Sequence, residues 1–308
     1  MSEQKSKKLS SGDTIGLVAL SGAVNPESMA KAKTCAAAKG FKVLEPFDSS
    51  VNYGKTTHLF SAESVEVRVR ALHNLFTDPK VSAIFAARGA YGCVELLPAI
   101  DFKLLAQNPK PLIGFSDVTG VLLAAHKLSG LTTIHGPTFL SAFGAEDKEA
   151  QHSTEFLLKL LAGEAEIYKK LSLKLLSPGK PQAQGRIIAG NLTVIQSLIG
   201  TPWEPDFRDR ILFFEETGEK PYRLHRILLQ LKQVGILDQL AGLVIGELKD
   251  CVQSAGKGPS AIDAILAALN DLDLPIWQAD WFGHGPKNLA LPIGAEVNLQ
   301  DQAIRVAC

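Results

Sequence analysis

Between Gly12 and His135, short aliphatic runs alternate with helix-patterned runs. The alternation is so regular that few arrangements other than a parallel sheet covered by helices on both faces can hold it. Thr14-Ile-Gly-Leu-Val-Ala-Leu20 reads as a buried strand. The helix after it is punctuated at both ends, with Asn25 as N-cap, Pro26 at the first helical position and Gly40 beyond the last. Phe41 to Leu44 is a second strand. Ser61 opens a second helix in which Val65, Val69, Leu72 and Phe76 share one face until Asp78-Pro79 stops it. Val81 to Ala87 is a third strand. The fourth starts at Pro111, stops at Ser116 and turns straight into a helix from Val118 to Leu128, and Leu131 to His135 is the fifth. Such sheets bind ligands beyond the carboxyl ends of their strands. Both Arg88-Gly-Ala-Tyr-Gly92 and Ser116 fall at such ends.

After a helix from Ser153 to Leu161 the pattern changes. Residues 163–185, with Ser-Pro-Gly-Lys180 and Pro181, read as a crossing between domains. The second half has a short strand at Arg186-Ile-Ile188, a helix from Asn191 to Leu198 and a strand, Arg210 to Phe214, that stops at Glu215-Glu216. A helix from Pro221 to Val234, the strand Leu243 to Leu248 and a helix from Ala261 to Leu269 capped by Ser260 lead through Pro275-Ile-Trp277 to the loop Trp281 to Asn288. The expected architecture is therefore α/β. Residues 1–162 form an N-terminal parallel-sheet, flavodoxin-like domain, and residues 186–308 a smaller C-terminal α/β domain. At 308 residues each half is long enough to bury its own core.

Charge and cysteine usage narrow the function. Lys plus Arg and Asp plus Glu both total 32, so no net field draws the chain to nucleic acid or anionic lipid, and a small neutral or zwitterionic substrate fits best. The basic start, Met1 to Lys8, is followed by no apolar core of signal-peptide type, and no run is long enough to span a bilayer, so a cytoplasmic protein is expected. Four scattered cysteines point to free thiols.

A serine on a tight strand-to-helix turn has its Oγ exposed beside helix N-terminal N–H groups, which is the setting of a nucleophile with an oxyanion site. Ser116 fits that description, although it is equally a good N-cap, and Val118 stands where the Gly-x-Ser-x-Gly elbow has its last glycine. His284, between Gly283 and Gly285, has small neighbours that would leave its ring accessible as a general base. Glu215 ends an apolar strand and could orient that imidazole, against the plainer reading of Glu215-Glu216 as a solvated strand end. His135 is a candidate for a cleft wall, whereas His73, His126 and His225 read as structural. There is no His-Glu-x-x-His, no His/Cys/Asp cluster of zinc-site spacing and no glycine-rich nucleotide loop. Ser177-Pro-Gly-Lys180 and Ser254-Ala-Gly-Lys257 have Ser-x-x-Lys spacing, but Pro-Gly and Ala-Gly interrupt the helical turn that would join lysine to serine.

Six segments together resemble the LD-carboxypeptidase family: Arg88-Gly-Ala-Tyr-Gly92 with Leu96 to Asp101, Ile113-Gly-Phe-Ser-Asp-Val-Thr119, Gly190-Asn-Leu192, Ile211 to Glu216, and Gly283-His-Gly-Pro-Lys-Asn-Leu-Ala-Leu-Pro-Ile-Gly294. The resemblance starts at Gly12-Asp-Thr-Ile-Gly16 and runs nearly to the C-terminus. It implies a cytoplasmic, homodimeric serine peptidase of two-domain subunits that releases the terminal D-alanine of murein tetrapeptides, with no metal or cofactor. Carried over by position, Ser116 is the nucleophile, His284 the base and Glu215 its acid, while the N–H groups of Gly89 and Asp117 form the oxyanion hole. Arg88, Tyr91 and Asn191, from the same motifs, are candidates to line the substrate cleft.

Two positions depart from the family pattern. Ala90 stands where a second glycine is usual, and Glu216 where aspartate is common, so a one-residue strand slip would exchange Glu215 and Glu216. Members that give immunity to microcin C by cleaving aminoacyl-nucleotide antibiotics resemble this chain as well, but tend to carry an added aromatic loop. The crossing region here has only Tyr168. A non-catalytic protein that holds a small carboxylate on the Arg88–Gly92 loop is the alternative from another class.

Overall fold

The computed structural model describes residues 8–46, 60–164, 166–177, 181–253 and 258–307. Lys180, Ser254-Ala-Gly-Lys257 and Cys308 lie outside the described residues. Strands β1 (Thr14–Val18), β2 (Lys42–Leu44), β3 (Val81–Ala86), β4 (Leu112–Gly114) and β5 (Thr133–His135) run parallel in the order β5-β4-β3-β1-β2. Helices α1 (Pro26–Ala38), α2 (Val65–Thr77), α3 (Phe102–Gln107), α4 (Thr119–Ser129), α5 (Phe139–Phe143) and α6 (Lys148–Leu161) lie between and after them. Asn25 caps α1 by accepting the Ser28 N–H at 3.0 Å, and Pro26 loses nothing there because a first-turn N–H has no partner inside the helix. Helix α2 starts later than its pattern predicts. Ser64 is its N-cap, and Ser61 is buried in the segment before it.

The second half builds a seven-stranded mixed sheet from β6 (Lys174–Leu175), β7 (Gln182–Asn191), β8 (Arg210–Thr217), β9 (Gly242–Lys249) and β10 (Ile276–Gln278), joined by helices α7 (Leu192–Leu198), α8 (Pro221–Gln233) and α9 (Ala261–Leu269). Of the last three strands, β12 (Glu296–Gln300) and β13 (Ala303–Val306) extend this sheet as a hairpin, but β11 (Leu291–Ile293) leaves it and pairs antiparallel with β5 on the edge of the first sheet. The order is β13-β12-β7-β8-β9-β10-β6, with β7 to β10 parallel. The segment 163–185 contributes β6 and the first residues of β7. Among the described residues no helix is long and apolar enough to cross a membrane.

Strand β11 matters to the site because it fixes the loop immediately before it. Tyr168, buried, donates its hydroxyl to the Ala290 carbonyl at 2.6 Å, one residue ahead of β11. Tyr168→Phe strands that buried carbonyl, a change that costs about 1–3 kcal/mol. Urea unfolding should show a lower midpoint with an unchanged m-value.

Candidate active site

The carboxyl end of β4 is built as a bend. Phe115 is extended (φ −154°), Ser116 turns to φ 62°, a 3-10 turn spans Ser116–Val118, and α4 follows. A serine in the left-handed region is uncommon, and such strain persists only where the surroundings enforce it. The turn faces the second half of the chain. The Asn191 N–H, at the end of β7, donates to Thr119 Oγ1 at 3.1 Å. Gly190 allows this approach, since a Cβ there would sit 2.2 Å from Thr119 Cγ2.

Across that contact the structure brings together Ser116, His284 and Glu215. The Glu215 carboxylate can only accept, so His284 Nδ1–H donates to Glu215 Oε2 at 2.5 Å, which leaves Nε2 to accept the Ser116 hydroxyl at 2.9 Å. The His284 ring packs against Phe115, centroids 5.0 Å apart, and its side chain is only 17% exposed. The glycines beside His284 therefore do not leave the ring open, because an aromatic wall covers it. Within the loop, Asn288 Oδ1 accepts the Gly283 N–H at 3.3 Å, and the Asn288 N–H donates to Ser153 Oγ at 3.0 Å.

The adjacent acids at the end of β8 are both buried, so neither is a solvated strand end. They point to different partners. Glu215 meets the imidazole, while Glu216 accepts Asn191 Nδ2 at 2.7 Å, the Thr193 N–H at 2.9 Å and the Thr217 N–H at 2.9 Å. Asn191, buried, also caps α7 by accepting the Val194 N–H at 3.2 Å. Glu216 thus sits where the N-terminal N–H groups and dipole of α7 stabilise an anion.

Burial favours the protonated Glu215 carboxyl and raises its pKa, against the pull of His284. For His284 burial acts downward, but the Glu215 hydrogen bond and charge, with further help from Glu216 and Glu247, hold its pKa above the ordinary 6.5. Glu247, in β9, packs its carboxylate against Gly285, and the pattern of the sequence offered no sign of it. His135 is fully buried at the end of β5, its ring edge-on to Phe115 and Phe282 at 6.2 and 6.1 Å, and burial drives its pKa down to about 3, which keeps it neutral.

Gly89 lies against the nucleophile turn. A Cβ at this position would sit 2.9 Å from Ser116 Cβ and 3.1 Å from its Oγ. Arg88 is exposed and donates to the Ala23 carbonyl at 3.1 Å, and Tyr91, 57% exposed, meets Phe60 edge-on at 5.6 Å. The Asp117 side chain is buried beneath the turn. Ala90 adopts φ 118°, a region that L-residues rarely enter and that costs about 1–3 kcal/mol. Ala90→Gly should raise Tm by a few degrees, less the added chain entropy of glycine in the unfolded state, as read by calorimetry.

The N-terminal domain profile of the LD-carboxypeptidases matches residues 15–136, and the C-terminal domain profile matches residues 184–299. The chain is 31% identical to a probable murein peptide carboxypeptidase of Bacillus subtilis over 95% of its length and 90% of the relative's. It is 36% identical to the murein tetrapeptide carboxypeptidase of Pseudomonas aeruginosa, covering 80% of this chain and 81% of that one. A solved structure of MccF in complex with glutamyl sulfamoyl guanosine superposes with a TM-score of 0.85 over 98% of both chains at 21% identity, a likeness of fold. By its two domain profiles and its relatives in sequence, this chain belongs to the LD-carboxypeptidase family of serine peptidases.

Proposed function

We propose that this protein is a cytoplasmic, homodimeric LD-carboxypeptidase of peptidoglycan recycling that hydrolyses the bond between the L-diamino acid and the terminal D-alanine of murein tetrapeptides. The observation that carries the reading is the hydrogen-bonded line Glu215–His284–Ser116, drawn from both halves of a chain whose relatives include murein peptide carboxypeptidases. We take the N-terminal α/β domain as residues 1–162, residues 163–185 as the crossing and the C-terminal domain as residues 186–308. The nucleophile then belongs to the first domain and the acid and base to the second.

In this mechanism Ser116 Oγ attacks the carbonyl of the diamino acid while His284 Nε2 takes the hydroxyl proton. The C–O bond forms, and the carbonyl pair moves onto oxygen as an oxyanion held by the N–H groups of Gly89 and Asp117. Collapse breaks the C–N bond, and the imidazolium gives its proton to the departing D-alanine amine. Water, deprotonated by the same nitrogen, then bonds to the acyl carbon, the C–Oγ bond breaks, and the imidazolium returns its proton to Ser116 Oγ as the tripeptide leaves. Glu215 keeps the imidazole in the tautomer with Nδ1 protonated and balances its positive charge. Arg88 is the exposed cation nearest the glycine loop by sequence and suits the terminal carboxylate that defines a carboxypeptidase substrate. Tyr91, exposed on the same loop, is the second cleft residue of this reading, whereas the Asn191 side chain, buried and bonded to Glu216 and the Val194 N–H, supports Glu216 and does not line the cleft.

The test is D-alanine release from L-Ala-D-Glu-meso-diaminopimelate-D-Ala with a chelator present. Wild type should release D-alanine, and Ser116→Ala should lower kcat by roughly 10⁴- to 10⁶-fold. Wild type that releases none would overturn the substrate, and aminoacyl-sulfamoyl nucleotides would then be assayed.

The pH profile provides an independent check. The base works only when His284 is neutral, and its pKa is raised, so kcat/KM should fall with decreasing pH through a midpoint above 6.5. Glu215→Gln keeps an acceptor for Nδ1–H but removes the negative charge, while the burial that lowers the His284 pKa stays. The midpoint should move to lower pH as kcat drops.

A further inference from the structure

A buried cation and a buried anion bind the same two loops at adjacent residues. Arg68, in α2 and only 2% exposed, donates from Nη1 to the Leu20 carbonyl at 2.8 Å and to the Gly92 carbonyl at 2.9 Å. Asp117 Oδ2, 7% exposed by residue, accepts the Ser21 hydroxyl at 2.6 Å and the Cys93 N–H at 2.9 Å. The cation therefore takes the acceptors and the anion the donors of the dipeptides Leu20-Ser21 and Gly92-Cys93. These dipeptides lie in the loops that follow β1 and β3. Arg68 Nη2 also meets Glu95 Oε2 at 3.0 Å, and Ser21 Oγ lies 3.1 Å from Cys93 Sγ.

None of these side chains reacts in the mechanism above, yet they bind the loop that carries Gly89 three and four residues beyond it. The loop that Arg68 and Asp117 hold at Gly92-Cys93 is the one whose Gly89 lies against Ser116, and Asp117 is also the residue whose N–H the mechanism above assigns to the oxyanion. The fit leaves no slack. Gly92 is at φ 120°, and a Cβ there would sit 2.9 Å from Arg68 Nη1 and 2.3 Å from Ser61 Oγ. Gly22 N–H adds a bond to the Gly89 carbonyl at 3.3 Å, and the Ala87 N–H one to the Val18 carbonyl at 2.7 Å. Buried charges are costly unless fully hydrogen-bonded, so two of them on one pair of loops define a single geometry and resist its relaxation.

We infer that Arg68 and the Asp117 carboxylate are positioning residues that set the spacing between the Gly89 and Asp117 N–H groups, and hence the oxyanion hole. The inference rests on the reading of Ser116 as nucleophile. Such a device acts on the transition state, where oxygen carries charge, and hardly on the bound ground state. A misplacement of about 1 Å in a site of this kind costs on the order of 10²-fold in rate.

The test compares wild type with Ser21→Ala, Arg68→Lys, Arg68→Met and Asp117→Asn, each first checked for a cooperative melt. Four quantities are read: kcat and KM for D-alanine release, Ki for the product tripeptide, and the rate of Ser116 labelling by a fluorophosphonate, whose phosphoryl oxygen enters the same hole. The expected result for Asp117→Asn and Arg68→Met is a 10- to 100-fold loss in kcat and in labelling rate, with KM and Ki within about threefold. Arg68→Lys should recover part of the loss, and Ser21→Ala, the mildest change, should show a three- to tenfold loss in both rates. Should Arg68→Met and Asp117→Asn not fold, Ser21→Ala and Arg68→Lys decide. Folded variants whose labelling and kcat stay within twofold of wild type, or whose loss lies wholly in KM, overturn the inference. Wild type that is labelled but releases no D-alanine overturns only the substrate, and labelling rates still judge the positioning role. Wild type that is not labelled overturns both.

Discussion

The hydrogen bond from Ser116 Oγ to His284 Nε2 joins residues 168 apart in the chain, and the rest of the structure exists to keep its two ends together. One end stands at the carboxyl end of β4, an interior strand of the parallel sheet, and the other on a loop returning from a second sheet. Neither end is held by that bond alone. Strand β11, which directly follows the His284 loop in the chain, crosses over to pair with β5, next to the strand that carries Ser116. The nucleophile turn is in turn tied to β7 through Thr119 and Asn191. Because the bond's geometry tolerates only small errors, the two halves of the chain form one site only as far as these crossings are rigid.

The treatment of negative charge near this bond follows from the same constraint. Three acids, Glu215, Glu216 and Glu247, all raise the proton affinity of His284, and leaving two of them buried without partners would be costly. The pleat and an irregularity in the β8–β9 register separate the adjacent pair. Glu215 turns to the imidazole, while Glu216 is absorbed by the N-terminus of α7 and the amide of Asn191. A strand end that looks like one acidic patch thus contains two groups with different surroundings. Asp117 shows the same economy, since one residue contributes a backbone N–H beside the nucleophile and a carboxylate that organises the loops behind it.

Much of this was legible in the sequence because it depends on local rules. The alternation of strand and helix runs up to His135 predicts the parallel sheet, and Asn25-Pro26 and Ser260 mark helix starts that the structure reproduces. The sequence pattern alone starts α2 one turn early, since Ser61 and Ser64 are both competent caps and only packing chooses between them. Short elements such as α3 and α5, and the strand β11, carry too few residues for a period to register. Arg68 does leave a trace: at helical spacing it falls between Leu72 and Leu75, on the side of α2 that is buried. A charge there signals a buried partner without identifying it.

By itself, then, the sequence determined the α/β class, the strand-end placement of Ser116 and the motif set that marks the LD-carboxypeptidase family, because each is encoded within a few neighbouring residues. Tertiary structure alone decided which acid reaches His284, that the imidazole is packed against Phe115, that Ala90 is held at positive φ, and that Arg68 and Asp117 grip the same loops. These are relations between segments far apart in the chain. Their signs and distances come from how two sheets pack, which no local pattern records.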